Sequence, residues 1–304
     1  KLGRTTGFSY IQLNTNGIRL AEEPGYAQKL SEAGLGSVFL QFDGMNNSIH
    51  RAIRGRDLAD IKMKAIKNCS EAGIGIVLVP TLIPGINTDN IGDIIRFALN
   101  NMPAIRGVHF QPISYFGRFP ESPAQRITIP EIIREIELQT EGAMTIKNFM
   151  PPGGENSYCS FHGNFMQMPD GRLKAWSDQS TGCCSKPGTA ARGAINKRNF
   201  VAKQWTAPSA CCSDMPAGKT GRPPGKGINT DSIDIFLSRI KTHTISISCM
   251  AFQDAWNLEL DRLRDCLVHV LSRDGRLIPF CAYNLTSACG QSLYREQAVK
   301  CLVK

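Results

Sequence analysis

The chain has 304 residues, 42% of them hydrophobic and 20% charged, with a formal net charge of +9. Such a composition suits one large globular domain or two of ordinary size, and excludes a disordered or fibrous chain. No apolar run approaches eighteen residues, and the opening KLGRTTGF lacks the hydrophobic core of a signal peptide. The expectation is a cytoplasmic protein that is not an integral membrane protein. Eleven cysteines, an odd number, then read as metal ligands or free thiols rather than disulfides.

Strand and helix patterns alternate over the first 115 residues. A strand over 9–14 (SYIQLN) runs into the turn Thr15-Asn16-Gly17, and a helix over 23–33 stops at Gly34. A second strand, 37–42 (SVFLQF), ends in Asp43-Gly44. The helical period over 57–72 has Asp57 as its cap and Gly73 just past its end. A buried strand follows over 74–82, then a helix over 88–100 capped by Thr88 or Asp89, and a strand over 107–113. This rhythm implies right-handed crossovers and a parallel sheet, open or rolled into a barrel. Ligands of such sheets sit at the carboxyl ends of the strands. Four polar, glycine-rich loops fall there: 15–17, 43–47, 84–87 and 114–118.

A further helix spans 129–142, with Thr128 as cap and Pro130 in its first turn. Loop and short strand follow around Cys159, and then a long irregular stretch. Between 171 and 229 ten basic residues face only Asp178 and Asp214, a balance of +8. The segment has no interleaved aromatics and no recognisable nucleic-acid module, so a solvated loop is expected and no nucleic-acid partner. Helices resume at 231–240 and 257–265. Cys266 and Cys281 then flank two β-rich runs joined by Asp274-Gly275, a strong hairpin signal. A hairpin brings its ends together, so two thiols at its open end suit one ion or cluster, with Cys159 a third candidate. The pairs Cys183-Cys184 and Cys211-Cys212 lack zinc-ligand spacing and read as free thiols. Cys69 reads as packed within its helix.

The runs LNTNGIRLA, LQFDGMNNSIHRAIRG, VLVPTLIPGIN, FQPISYFGR and ITIPEIIREIELQTEG, in that order, resemble the later part of a radical S-adenosylmethionine (radical SAM) barrel. They are most similar to class D methylases acting on pterins and to tetraether lipid synthases. The tail from His243 to Asn284 resembles that group's auxiliary-cluster region. The resemblance implies an α/β fold: a partial (β/α) barrel over 1–150, a loop-rich basic segment with cysteines over 151–230, and a cysteine-rich auxiliary-cluster region over 231–304. It implies S-adenosyl-L-methionine and an auxiliary [4Fe–4S] cluster as cofactors, and hydrogen abstraction from carbon leading to C-methylation or C–C bond formation. Thr15, Asn16, Gln41, Asp43, Arg54 and Gln111 are the implied cofactor-binding residues. Cys159, Cys266 and Cys281 are the implied metal ligands.

Two departures accompany the resemblance. The C-x-x-x-C-x-x-C motif occurs nowhere in the 304 residues, so a fragment or a truncated form is expected. Gly154 stands where the group has a fourth auxiliary cysteine, leaving His162 or Cys249 as substitutes. The alternatives are a non-catalytic remnant or metal-stabilised binding module, and, less favoured, a zinc-dependent nucleic-acid binder. Lipid, pterin and peptide substrates all stay open. A barrel lacking strands also leaves 9–14 as an exposed edge.

Overall fold

The computed structural model describes residues 1–116, 125–152, 156–176, 199, 202–208, 231–287 and 291–295, with only the backbone described at 231–235. The expectations for Gly117, Arg118, Gly154, both adjacent-cysteine pairs and most of the basic segment lie outside these residues.

Ten strands and ten helices organise the described chain: α1 (Leu2–Thr5), β1 (Gln12–Thr15), α2 (Ile18–Glu22), α3 (Tyr26–Glu32), β2 (Ser37–Gln41), α4 (Asn47–Arg54), α5 (Ala59–Glu71), β3 (Gly75–Val79), β4 (Thr81–Leu82), α6 (Ile91–Asn100), β5 (Ile105–Pro112), α7 (Ile129–Gln139), β6 (Ser160–Gln167), β7 (Leu173–Ala175), α8 (Asp231–Thr242), β8 (Thr244–Met250), α9 (Leu260–Arg264), β9 (His269–Leu271), β10 (Leu277–Pro279) and α10 (Phe280–Tyr283). One eight-stranded sheet has the order β1-β2-β3-β5-β8-β6-β7, with β4 beside β5. From β1 to β8 every pairing is parallel. β6 then runs antiparallel to β8, and β7 antiparallel to β6.

Several expected elements are cut by proline or reassigned. The helix expected over 23–33 shortens to α3, because Pro24-Gly25 delays its start and Gly25 takes φ +70°, and a separate helix, α2, precedes it without having been expected. Pro80, which has no N–H for the ladder, divides the strand expected over 74–82 into β3 and β4. The helix over 88–100 begins with a 3-10 turn at Thr88–Asn90 before α6, and only Leu260–Arg264 of the helix over 257–265 forms. Helix α4 was not anticipated. Asn46 caps it by accepting from Ile49 N at 3.1 Å. The next residue, Asn47, caps α5 from a distance, its Oδ1 accepting from Leu58 N and Ala59 N at 3.1 and 3.0 Å. Asp57, the expected cap, instead pairs with Arg51. Thr128 and Glu131 form the capping box of α7.

The strand order increases along the chain from β1 through β8, so right-handed crossovers place every connecting helix on one face. That face holds the main core. Val38 and Leu40 of β2, Ile76 and Leu78 of β3, Val108 and Phe110 of β5, and Ile245 and Ile247 of β8 pack there. Against them lie Leu20, Ala65, Ile66, Ile91, Ile94, Ile95 and Ile132 from the helices. A doubly wound sheet would need helices on both faces, so this is the partial-barrel arrangement. The alternate strand residues face the other way, into a lumen.

The floor of that lumen is Trp205. Its ring lies 4.9 Å from Phe39, which is 5.4 Å from His109. One glycine admits it: a Cβ on Gly75 would lie 2.0 Å from the Trp205 carbonyl oxygen. Gly75→Ala should therefore push 202–208 off the strand ends, with a loss of roughly 1–3 kcal/mol by overpacking. Urea unfolding with tryptophan emission checks this; unchanged stability and emission would mean that 202–208 does not hold the floor.

Candidate active site at the carboxyl rim

All five parallel strands deliver their carboxyl ends to one rim, where the polar loops at 15–17, 43–47 and 84–87 gather with residues 114–116. Asp43, just past β2, is fully buried. Its two carboxylate oxygens accept from Arg54 Nε at 2.8 Å and Nη2 at 3.0 Å, and Oδ1 also accepts from Thr81 N at 3.1 Å. Arg54 Nη2 reaches on to Thr81 Oγ1 at 3.1 Å. With its amide oxygen turned toward the guanidinium, Gln41 accepts from Arg54 at 2.6 to 2.9 Å. Buried Asn87 donates to the carbonyls of Asp43 and Thr81, both at 2.8 Å, while its Oδ1 accepts from Ile83 N. Three of the implied cofactor residues, Gln41, Asp43 and Arg54, thus form one cluster joining the loops after β2, β3 and β4. Arg54 already spends its fork on Asp43, so it braces the rim rather than offering two free donors.

Two buried titratable side chains stand behind this cluster. Lys62 on α5 is fully buried and donates to the Asn16 carbonyl at 2.5 Å. Burial pushes its pKa down to about 8; Asp43 opposes the shift and Arg54 adds to it. Burial also lowers His50, against the pull of Asp43. Thr15 and Asn16 make local contacts: their side chains accept from Gly17 N and Ile18 N at 3.0 and 3.1 Å, shaping the turn into α2. Gln111 sits on β5 opposite Thr81, at the same rim.

The lumen wall is neutral. Inward positions include Asn14, Gln41, His109, Gln111, Ser246, Ser248, His162 and Asn164, and above the floor those of β1, β2, β3, β5, β6 and β8 carry no Asp, Glu, Lys or Arg. His109 Nδ1 lies 2.9 Å from Ser248 Oγ, and burial pushes its pKa down to about 4, keeping the ring neutral. A separate cavity of about 760 Å³, lined by Arg106, Phe165, Trp176, Leu237, Ile240 and Thr244, opens at the opposite, amino end of β5 and β8. It is not part of the rim.

The cysteines lie at the rim as well. Because β6 is antiparallel to β8, its start meets the end of β8: Ala251 N donates to the Cys159 carbonyl at 2.8 Å. The hairpin forms, with Pro279 opposite His269 and Gly275 at φ +83° in the loop. Its base carries Cys266 and buried Cys281. Burial raises the Cys281 thiol, the nearby sulfurs of Cys266 and Cys159 add to that, and Gln253 N (3.3 Å) and Arg262 oppose it. Arg262 Nε donates to Cys159 Sγ at 3.4 Å. The three expected thiols therefore share one neighbourhood with N–H donors aimed at two of their sulfurs, a soft donor set suited to an iron–sulfur cluster. Their side chains are not drawn in to ligand geometry: among the described residues no group of three or more His, Cys, Asp or Glu is arranged to hold a metal ion. Cys249 is remote from this set in its environment. It packs fully buried in the helix-side core, where burial raises its thiol. His162 faces inward opposite Ser248.

One element of the rim has no sequence signal at short range. Asp254, buried in the loop after β8, takes a two-pronged bond from Arg126 at 2.8 and 2.9 Å and accepts from Tyr115 N and Trp256 N. Burial alone would raise this carboxyl, but Arg126 and the two N–H groups outweigh it and hold it low. Arg126 also stacks on Tyr115, 4.7 Å from the ring centre.

The family model described as "Radical SAM superfamily" matches residues 5–98. The 7,8-dihydro-6-hydroxymethylpterin dimethyltransferase of Methanocaldococcus jannaschii is 33% identical to 93% of this chain. Residues 5–98 thus carry a radical SAM domain, and the similarity to the dimethyltransferase runs over most of the chain. The chain spans 62% of that relative's length. The GTP 3',8-cyclase of Alkaliphilus oremlandii is 28% identical over 55% of the chain and 56% of its own length. The mycofactocin maturase MftC of Mycolicibacterium smegmatis is 26% identical over 34% and 26% respectively. A radical SAM family implies a [4Fe–4S] cluster and S-adenosylmethionine. No described helix is long and apolar enough to cross a membrane.

Two stability tests follow from the rim cluster. Asp43→Ala leaves the Thr81 N–H without its acceptor and releases the partly exposed Arg54 to solvent, with an expected loss of about 1–3 kcal/mol in urea unfolding. Lys62 supplies a pH test. Below about pH 8 it is charged in folded and unfolded chains, and the cost of burying it is fully present. As pH rises from there toward 10.5 the unfolded chain holds the proton longer, so stability rises. Relative to Lys62→Met, the wild-type chain should gain on the order of 3 kcal/mol across that window; a flat difference would contradict the shift.

Proposed function

We propose that this chain forms the rim and lumen of a radical SAM enzyme that abstracts hydrogen from carbon and methylates a planar, pterin-like heterocycle. The observation that carries this is the meeting of three things at one end of the barrel: the Gln41–Asp43–Arg54 cluster, a neutral hydrogen-bonding lumen and three neighbouring thiols. When bound, S-adenosylmethionine on its cluster supplies the carbon-centred radical that removes hydrogen. The ligands of that cluster are not among these residues, since C-x-x-x-C-x-x-C does not occur in them.

The residues present have the tasks of holding and orienting. Gln41 and Gln111 offer amides at the rim to the ribose or amino-acid part of S-adenosylmethionine. Asp43 locks Arg54 in place and so fixes the Gln41 amide, while Thr15 and Asn16 shape the loop beside them. Cys159, Cys266 and Cys281 would hold the auxiliary cluster, with Arg262 and Gln253 N hydrogen bonding to sulfur. A lumen without formal charges favours a neutral ring with polar edges over a charged peptide. The pterin named for the Methanocaldococcus relative and the polar wall, which a lipid chain would leave unsatisfied, both support the heterocycle.

Anaerobic reconstitution of the 304-residue chain with iron and sulfide tests the cysteine assignment. About four irons per chain are expected, as for one [4Fe–4S] cluster, falling to background in Cys266→Ala and Cys281→Ala but unchanged in Cys183→Ala. Zinc uptake alone, or iron retained by both hairpin variants, would sink it.

A further inference from the structure

We infer that His109, backed by Ser248, is the residue that reads the substrate's polar edge inside the lumen. This rests on the heterocycle reading above and names the group that would recognise it.

Three observations converge on this pair. His109 sits midway along β5 on the inward face, and its one side-chain hydrogen bond runs from Nδ1 to Ser248 Oγ at 2.9 Å on the facing strand. Nε2 has no hydrogen bond among the described residues and is not among the buried atoms lacking a partner. It is the ring nitrogen left for a ligand. The ring is held by its surroundings, with Phe39 at 5.4 Å and Trp205 beyond at 4.9 Å from Phe39, so an aromatic shelf lies beside the imidazole. A planar heterocycle lying against such a shelf presents its edge, where its nitrogens and carbonyl oxygens are, to neighbouring polar groups.

The partner makes the reader adaptable. A serine hydroxyl can donate to Nδ1 or accept from it. In the first case Nε2 carries the proton and donates to a carbonyl or ring nitrogen; in the second it accepts from an N–H. The tautomer follows the ligand, and no net charge enters the lumen. Register also places the pair correctly. Gln41 pairs with Val79 of β3, and β5 lies on the other side of β3. His109 is thus two strand spacings from Gln41, roughly 10 Å, which leaves room for a cofactor beside a substrate without overlap.

The probe is 7,8-dihydro-6-hydroxymethylpterin, added to the 304-residue chain under anaerobic conditions and followed by calorimetry. His109→Phe should weaken binding roughly tenfold or more, the effect of losing a buried hydrogen bond to the ligand. His109→Gln, which restores a donor and an acceptor, should recover most of it, and Ser248→Ala should give an intermediate loss. Thermal unfolding of each variant separates this from misfolding, because a purely structural histidine would change unfolding and probe binding together and would not be rescued by glutamine in binding alone. Equal probe affinity in wild type and His109→Phe would overturn the role of His109 while leaving the heterocycle reading intact. No binding by the wild type would instead overturn the heterocycle reading and this inference with it.

Discussion

The carboxylate of Asp43 is the fixed point of the rim. It is completely buried at the end of a central parallel strand, and an ion there is tolerable only if its lone pairs are filled. Arg54 fills them from α4, the Thr81 N–H fills them from the strand beyond Pro80, and Asn87 ties down the carbonyls on either side. Each of these groups belongs to a different element or loop. Satisfying one buried charge therefore sets the relative position of the loops after β2, β3 and β4, and with them the Gln41 amide that faces the same guanidinium. Pro80 belongs to this arrangement too. By ending β3 it lets the chain step sideways, so that the next N–H points at Asp43 instead of continuing the ladder.

The second organising constraint is that the strands have two unlike faces. A parallel sheet covered on both sides reads as unbroken apolar runs, and β3, with Ile76, Val77, Leu78 and Val79, comes near that pattern. β8 does not. Its sequence alternates Thr244, Ser246 and Ser248 with Ile245, Ile247 and Cys249, and only the second set enters the helix-packed core. The hydroxyls face a lumen whose polar groups pair with one another, as His109 and Ser248 do.

Much of this was legible in the sequence, for reasons that can be named. The βα rhythm, the turns after each strand, the Thr128 cap and the Asp274-Gly275 hairpin all rest on local chemistry, which a few adjacent residues determine. What local chemistry could not show was long-range. Helix α4 is short and polar, so its only signal was Asn46, which also makes turns. Asn47 caps a helix that starts twelve residues later, a role no capping rule assigns to it. The carboxylate that Arg54 binds belongs to Asp43, eleven residues back; the sequence left open whether the fork served a ligand. Arg126 and Asp254 are 128 residues apart, and neither lies in a pattern that points to the other. Even the alternation of β8 was visible in the letters, but the run lay in the tail that the resemblance assigns to the auxiliary-cluster region, and no strand was expected there.

The position of the thiols follows from a single reversal. Were β6 parallel to β8, Cys159, just ahead of it, would lie at the floor beside Trp205, far from the loops that close the rim. The antiparallel pairing of Ser160 with Met250 brings Cys159 to the carboxyl end instead. There the chain leaving β8 runs through Ala251, which bonds Cys159, and Gln253, whose N–H meets Cys281. The same loop continues to Asp254, which grips Arg126 and the Tyr115 backbone at the exit of β5. One short segment, 251–254, therefore touches both the cysteine neighbourhood and the mouth of the lumen. Any group bound among the three thiols would share that segment with whatever occupies the lumen, so the proposed auxiliary site and the proposed substrate site are mechanically joined as well as adjacent.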